Sequence, residues 1–254
     1  MTMQQILSPM RRAITDYSMI KDGDNIVIGL SGGKDSVALT SALAAYRRFS
    51  PEKFGIIAVT IDMGVGADYS PMEKMCEQLN VEYKTVKTDI GEILFSIRKE
   101  KSPCSLCSKM RRGALNTFVN SSGANKLALA HHADDVVETM LLSLLYEGRF
   151  STFQPVSFMD RTRVTLIRPF VYVPERDIAA LVRDLGLPVV KNPCPADHKT
   201  NREYMKKLIN SIRQDIPFAF DRMFGAISHP ERNNLWPPRT AAEAADSNRD
   251  KTCD

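Results

Sequence analysis

The feature that most constrains the fold is a short apolar run that breaks into a glycine-rich turn and then into a helix. Ile26-Val27-Ile28 is followed by Gly29-Leu30-Ser31-Gly32-Gly33-Lys34-Asp35-Ser36, and Val37 to Phe49 continues as an Ala- and Leu-rich helical stretch. A continuous β-branched run suits a strand buried on both faces, as in parallel sheets. A strand that turns directly into a helix is half of a βαβ unit. Glycines let the backbone approach a ligand closely. The N–H groups at the helix start, Lys34 and the serine hydroxyls then make a cradle for phosphate. A Walker A loop would need glycine five residues before the Gly-Lys pair, where Ile28 stands. The loop does not fit the dinucleotide fingerprint either.

The same alternation runs along the chain. A helix is predicted over residues 3–20, where Met3, Ile6, Leu7, Met10, Ile14 and Tyr17 recur at helical spacing. Strands are predicted at Asn25–Leu30, Phe54–Ile61, Val81–Thr88, Leu127–Ala130 and Val164–Ile167. Helices are predicted at Val37–Phe49, Ser70–Leu79, Asp134–Tyr146 and Pro174–Leu185, with Pro188–Val190 as a short extended piece. This order predicts an α/β fold with a doubly wound parallel sheet. Such sheets bind ligands beyond the carboxyl ends of their strands. Ser31–Ser36, Asp62 and His131–Asp135 all follow strands, so they are expected to converge on one crevice. The tail from Arg239 lacks periodicity and reads as disordered.

Composition narrows the class. The 254 residues carry 34 Lys plus Arg against 30 Asp plus Glu, with 43% hydrophobic and 25% charged residues. That is the make-up of a globular domain and excludes collagen-like, disordered and disulfide-dense chains. No stretch approaches the roughly 20 apolar residues of a membrane span. Met1 to Tyr17 holds Arg11 and Arg12 and no apolar core of a secretory signal, so a cytoplasmic setting is expected. The mild positive charge permits a nucleic-acid partner without requiring one.

The cysteines are Cys76, Cys104, Cys107, Cys194 and Cys253. Cys104 and Cys107 form a C-x-x-C pair, which structural zinc, redox centres and Fe–S clusters all use. Cys194 stands between two prolines. Three thiolates can hold three irons of a [4Fe–4S] cluster and leave the fourth open, or join His198 in a Cys₃His zinc site. Cys76 reads as core and Cys253 as incidental.

At this point the chain resembles a known family. SGGKDS, PCSLCSKMRRG, LALAHHADDVVETML, IRPF and the late cysteine of NPCPAD occur in the order found in the tRNA 2-thiocytidine synthetases, within the ATP-pyrophosphatase (PP-loop) superfamily. The resemblance runs from about residue 25 to about residue 225. It implies an adenine nucleotide alpha-hydrolase-like, Rossmann-like sheet over 25–195 with a Cys-containing insertion near 97–113. An N-terminal helix (1–24), a C-terminal helical region (196–238) and the tail (239–254) would flank it. It implies adenylation of the C2 carbonyl oxygen of a cytidine, position 32 of the anticodon loop, and its replacement by sulfur. ATP, Mg²⁺ and a [4Fe–4S] cluster would be the cofactors, and tRNA the substrate. The sulfur donor would be free sulfide or a cysteine desulfurase.

Carried onto this chain, Cys104, Cys107 and Cys194 become the cluster ligands. Ser31, Gly32, Gly33, Lys34, Asp35 and Ser36 become the pyrophosphate loop. Lys34, Asp35, Asp134 and Asp135 become catalytic, with His131 at the nucleotide; Asp62, from its place at a strand end, reads as a loop residue or as a contact to nucleotide or metal. One of Asp134 and Asp135 is expected to face the crevice and the other to cap the helix. Arg168 can touch phosphate or RNA, or take a simple surface or ion-pair role. The basic stretches Arg98–Arg112 and His198–Arg213 can form an RNA patch or two solvated faces. The N-terminal amphipathic helix offers a surface for a homodimer. The alternatives are a tRNA uridine thiolase, another ATP-pyrophosphatase with a structural zinc, and a zinc-stabilised nucleotide sensor.

Overall fold

The computed structural model describes residues 1–100, 103–190, 194 and 201–235. Lys101, His198, Lys199, Cys253, the prolines beside Cys194 and the 239–254 tail lie outside the described residues. Contacts divide the chain into two units, Met1–Ser211 and Ile212–Asp254, a boundary later than the residue-195 division read from sequence.

The first unit is built on a six-stranded sheet: β1 (Asn25–Gly29), β2 (Gly55–Asp62), β3 (Glu82–Lys87), β4 (Lys126–Ala128), β5 (Val156–Met159) and β6 (Val164–Ile167). The order is β3-β2-β1-β4-β6-β5. The first five strands of that order are parallel, and β5 pairs antiparallel with β6. The sheet is therefore parallel-dominated rather than wholly parallel. The chain steps outward from β1 to β2 and β3, then crosses to the other side for β4. That reversal opens a crevice beyond the carboxyl ends of β1 and β4.

Ile26, Val27 and Ile28 are fully buried, as a strand covered on both faces requires. Helices α1 (Met3–Asp16), α2 (Lys34–Arg47), α3 (Ser70–Gln78), α4 (Pro103–Ser121), α5 (Ala133–Glu147) and α6 (Glu175–Asp184) surround the sheet. Helix α1 ends at Asp16, four residues before the predicted end at residue 20. Ser18 adopts a positive φ and Met19 N–H closes onto Ile14 O. Its apolar stripe, Ile6, Leu7, Met10, Ala13 and Ile14, is buried, with α2 and α6 against the helix. That stripe is consumed inside the fold, so the stated basis for a homodimer falls away.

Two elements escape the sequence pattern. Helix α4 occupies the segment read as an insertion: the cysteine pair opens a 19-residue crossover helix that leads into β4. Its apolar stripe, with Leu115 and Val119 buried, is interrupted by Lys109, Arg111 and Arg112. Strand β5 is an edge strand with no apolar run, and Phe158 faces outward. No helix among the described residues is long and apolar enough to cross a membrane.

Helix α7 (Asn201–Asp215) begins in the first unit and runs into the second. The second unit holds α8 (Ala219–Ser228), where Arg213 lies 4.2 Å over the Phe220 ring.

Candidate active site

The phosphate loop is held from within. Ser36 Oγ lies 3.1 Å from both Ser31 N and Ser31 Oγ and donates to Gly33 O at 2.9 Å. Helix α2 starts at Lys34, three residues earlier than its apolar run, so Lys34, Asp35 and Ser36 form its first turn. The first-turn N–H groups of a helix have no partner inside it and carry the positive end of the dipole. Gly32 has φ +82°, and a Cβ there would sit 3.1 Å from Val190 Cβ. Glycine is needed on both counts.

One cavity of about 410 Å³ opens beside this loop. Ser31, Gly33, Asp35 and Ser36 form one part of its wall, and His131 and Asp135 another. Cys104, Cys107 and Cys194 line it together with Arg111 and Arg112. Gly32, Lys34, Asp62 and Asp134 are not on the wall. Asp62 turns to its own loop, accepting from Gly64 N at 3.0 Å, although its neighbours Ile61 and Met63 line the cavity. Lys34 Nζ pairs with Asp35 at 2.9 Å and with Glu175 Oε1 at 2.9 Å. Burial opposes its charge, but these two carboxylates hold its pKa above the usual lysine value.

Asp134 and Asp135 take different jobs, but not along the expected division. Asp134 caps α6: its Oδ2 accepts from Glu175 N at 2.7 Å. Asp135 both faces the cavity and closes the start of α5. It accepts from His132 N at 3.0 Å while its own N–H donates to His132 Nδ1 at 3.3 Å. Its other oxygen pairs with Arg202. His132 Nε2 stands 3.8 Å from Asp35 Oδ1, linking the loop to α5.

His131 lies with its ring centroid 5.0 Å from that of Phe153. Its Nδ1 is buried with no hydrogen-bond partner. Burial pushes its pKa down to about 4; Asp135 pulls the other way, and Arg168, Arg202 and Arg112 add to the lowering. The imidazole is therefore neutral near pH 7. Arg168 is buried rather than presented to solvent. It donates to Gln154 O and Ser157 Oγ, and its guanidinium lies 4.8 Å over Phe153. Burial, and then Arg112, lowers its pKa to about 10. No described carboxylate pairs with it.

Cys104 and Cys107 sit three apart on the first turn of α4, hence on one face. Pro103 occupies the first helical position. A helix N-terminus favours thiolate. Burial pushes the Cys107 thiol pKa up; Arg111 opposes that, and Cys194 and Cys104 add to it. Cys104 and Cys194 thus both lie near enough to Cys107 for their charge to act on it. No three His, Cys, Asp or Glu side chains among the described residues are grouped to clasp a single ion. Three thiols spread around a cavity do fit a cluster, in which each thiolate takes a different iron.

Sequence reasoning missed Glu175, Arg202 and Lys206 as parts of this site. The basic patch read over 198–213 is in part turned inward: Arg202 meets Asp135 and Lys206 meets Glu175. It also missed Glu138, one turn beyond Asp135 and 4% exposed. Burial, with Asp135 and Glu175 adding, pushes its carboxyl up to about 7 against Arg202 and Lys206. A carboxyl raised above its unfolded value stabilises the fold at low pH and loses that contribution as pH rises through about 7. Glu138→Gln should therefore gain on the parent as pH rises from about 5 to about 8, by on the order of 2 kcal/mol. Melting temperatures of both proteins across that range check this. A difference that stays constant with pH contradicts it.

Comparison with known proteins follows the same lines. A family model described as a PP-loop domain matches residues 3–212. The tRNA-cytidine(32) 2-sulfurtransferase of Syntrophotalea carbinolica is 36% identical over 228 residues, 88% of each chain. That of Geobacter sulfurreducens is 37% identical over 236 residues, 91% of this chain and 92% of the relative. Among solved structures, the U34-tRNA thiolase NcsA from Methanococcus maripaludis with its [4Fe-4S] cluster superposes with a TM-score of 0.73. It is 24% identical and covers 91% of this chain and 79% of its own, a likeness of fold.

Proposed function

We propose that this chain, which belongs to the PP-loop domain family and to the tRNA-cytidine(32) 2-sulfurtransferases, is an ATP-dependent tRNA thiolase. Its reaction replaces the C2 oxygen of a cytidine by sulfur. The observation that carries the reading is that the phosphate loop and the three cysteines line one cavity.

Oxide is a poor leaving group, so the carbonyl oxygen must first be activated. The cytosine oxygen attacks the α-phosphorus of ATP and pyrophosphate leaves. Sulfur, arriving as hydrosulfide, then adds at C2 and loses its proton, and AMP departs with the original oxygen. The loop N–H groups and Lys34 hold the phosphates as charge moves onto pyrophosphate. Asp35 and Asp135 are the carboxylates on the wall that would share Mg²⁺ with phosphate oxygens. Arg111 and Arg112 supply positive charge on the wall of the same cavity, suited to the departing AMP and to the phosphates flanking the target base. Neutral His131 offers an unpartnered ring nitrogen without adding charge. Cys104, Cys107 and Cys194 would hold the [4Fe–4S] cluster. When bound, it supplies an iron with an open coordination position able to take sulfide. A base in a loop can be splayed into such a pocket. Free sulfide or a cysteine desulfurase would supply the sulfur, and a reducing cytoplasm would keep the thiols available.

The test is to incubate anaerobically purified protein with unmodified tRNA, Mg·ATP and sulfide, and to digest the RNA to nucleosides for mass spectrometry. 2-Thiocytidine is the expected product. 2-Thiouridine would move the target to a uridine, and no thionucleoside with either base would overturn the reading.

A further inference from the structure

We propose that Lys206 on α7 is a positioning residue for the ATP site, holding Glu175 so that Lys34 keeps charge for phosphate. The inference rests on the reading that Lys34 binds the phosphates of ATP. Glu175 is the first residue of α6, and its backbone N–H is pinned by Asp134. Its carboxylate is shared. Lys34 Nζ lies 2.9 Å from Oε1, while Lys206 Nζ lies 2.7 Å from each of the two oxygens. The bidentate partner is Lys206, not the loop lysine.

Lys34 has a second carboxylate against it, Asp35. With both acids its charge would be more than cancelled, and ATP would meet a negative site. Lys206 offsets one of them. Both pairs press on Glu175: although burial disfavours its charge, the hydrogen bonds from Lys206 and Lys34 bring its pKa down to about 2. It is therefore an anion at working pH, and its charge must be met.

Helix α7 is placed to do this. Met205 and Ile209 are buried and anchor it. Arg202, one turn before Lys206 and on the same face, pairs with Asp135 and donates to Thr139 Oγ1 at 3.3 Å. Two α7 cations thus meet Asp135 of the cavity wall and Glu175, the partner of the loop lysine, and the three cations Lys34, Arg202 and Lys206 face the three acids Asp35, Asp135 and Glu175.

The experiment measures Mg·ATP affinity by calorimetry, and KM and kcat for thiolation, on the full holoprotein. Lys206→Gln should weaken ATP about tenfold through KM with kcat within about twofold. Lys206→Arg should restore affinity. Glu175→Gln alone should bind ATP at least as well as the parent. The Lys206→Gln/Glu175→Gln double variant should return to within about twofold of it. An unchanged affinity in Lys206→Gln, or a double variant as weak as the single, overturns the proposal. So does Glu175→Gln weakening ATP tenfold, a measurement that keeps Lys206 in place should Lys206→Gln fail to fold. Lys34→Ala separates the two levels. If it leaves ATP affinity unchanged, the reading of the loop lysine fails. If it weakens ATP while Lys206→Gln does not, only the present proposal fails.

Discussion

Cys194→Ala is expected to lose the iron–sulfur cluster and, with it, tRNA thiolation by at least about a hundredfold. Cys104 and Cys107 share one turn of one helix, and two thiolates from one face cannot enclose a cluster. Cys194 comes from a distant segment that follows α6 and reaches the same cavity wall. Its charge is felt at Cys107. Removing it would leave a second iron, besides the open one, without a protein ligand. Cys76→Ala is the matching control. Cys76 is buried on α3, and burial alone pushes its thiol up to about 11, the behaviour of an inert core cysteine. That variant should keep its iron. Iron analysis of both proteins decides the matter: full iron in Cys194→Ala would remove it from the ligand set.

The second large effect is at the loop. Lys34→Ala should slow pyrophosphate release by about 10²–10³-fold, the usual cost of removing one preorganised group that meets developing charge. The variant should retain its cluster, since Lys34 pairs with Asp35 and Glu175 and not with the cysteines. It also frees Glu175 and Asp35 from their shared cation, so part of the loss is added repulsion of ATP. Pyrophosphate release measured with tRNA present reads the effect. A rate equal to the parent's would reject the assignment of the loop. Loss of iron together with activity would mean that Lys34 acts through the fold.

Local pattern and distant pairing divide what the sequence could disclose. The β1–loop–α2 unit was legible because a fully buried strand must be apolar without alternation, and because a sharp turn into a helix needs Gly32. The cysteine triad was legible as a chemical set, although only the fold brings Cys194 to Cys104 and Cys107. Helix α4 was hidden because its outward face and its cavity face are both polar, which blurs the apolar period. Strand β5 was hidden because an edge strand half open to solvent has no need of an apolar run. Glu175 looked like an ordinary charge on an amphipathic helix, and Arg202 and Lys206 like members of an RNA patch or a solvated face. Their roles come from partners at separations of 141, 67 and 31 residues along the chain: Lys34, Asp135 and Glu175. One of Asp134 and Asp135 was expected to cap their own helix; Asp135 does so, and Asp134 instead caps α6, a choice that depends on where α6 lies.

The central claim is that the three thiols beside the phosphate loop carry an iron–sulfur cluster that serves the chemistry in the same cavity. Its most direct test is the iron, acid-labile sulfide and zinc content of protein purified without oxygen. The account predicts about four irons and four sulfides per chain and no stoichiometric zinc. One zinc per chain with neither iron nor sulfide would contradict it.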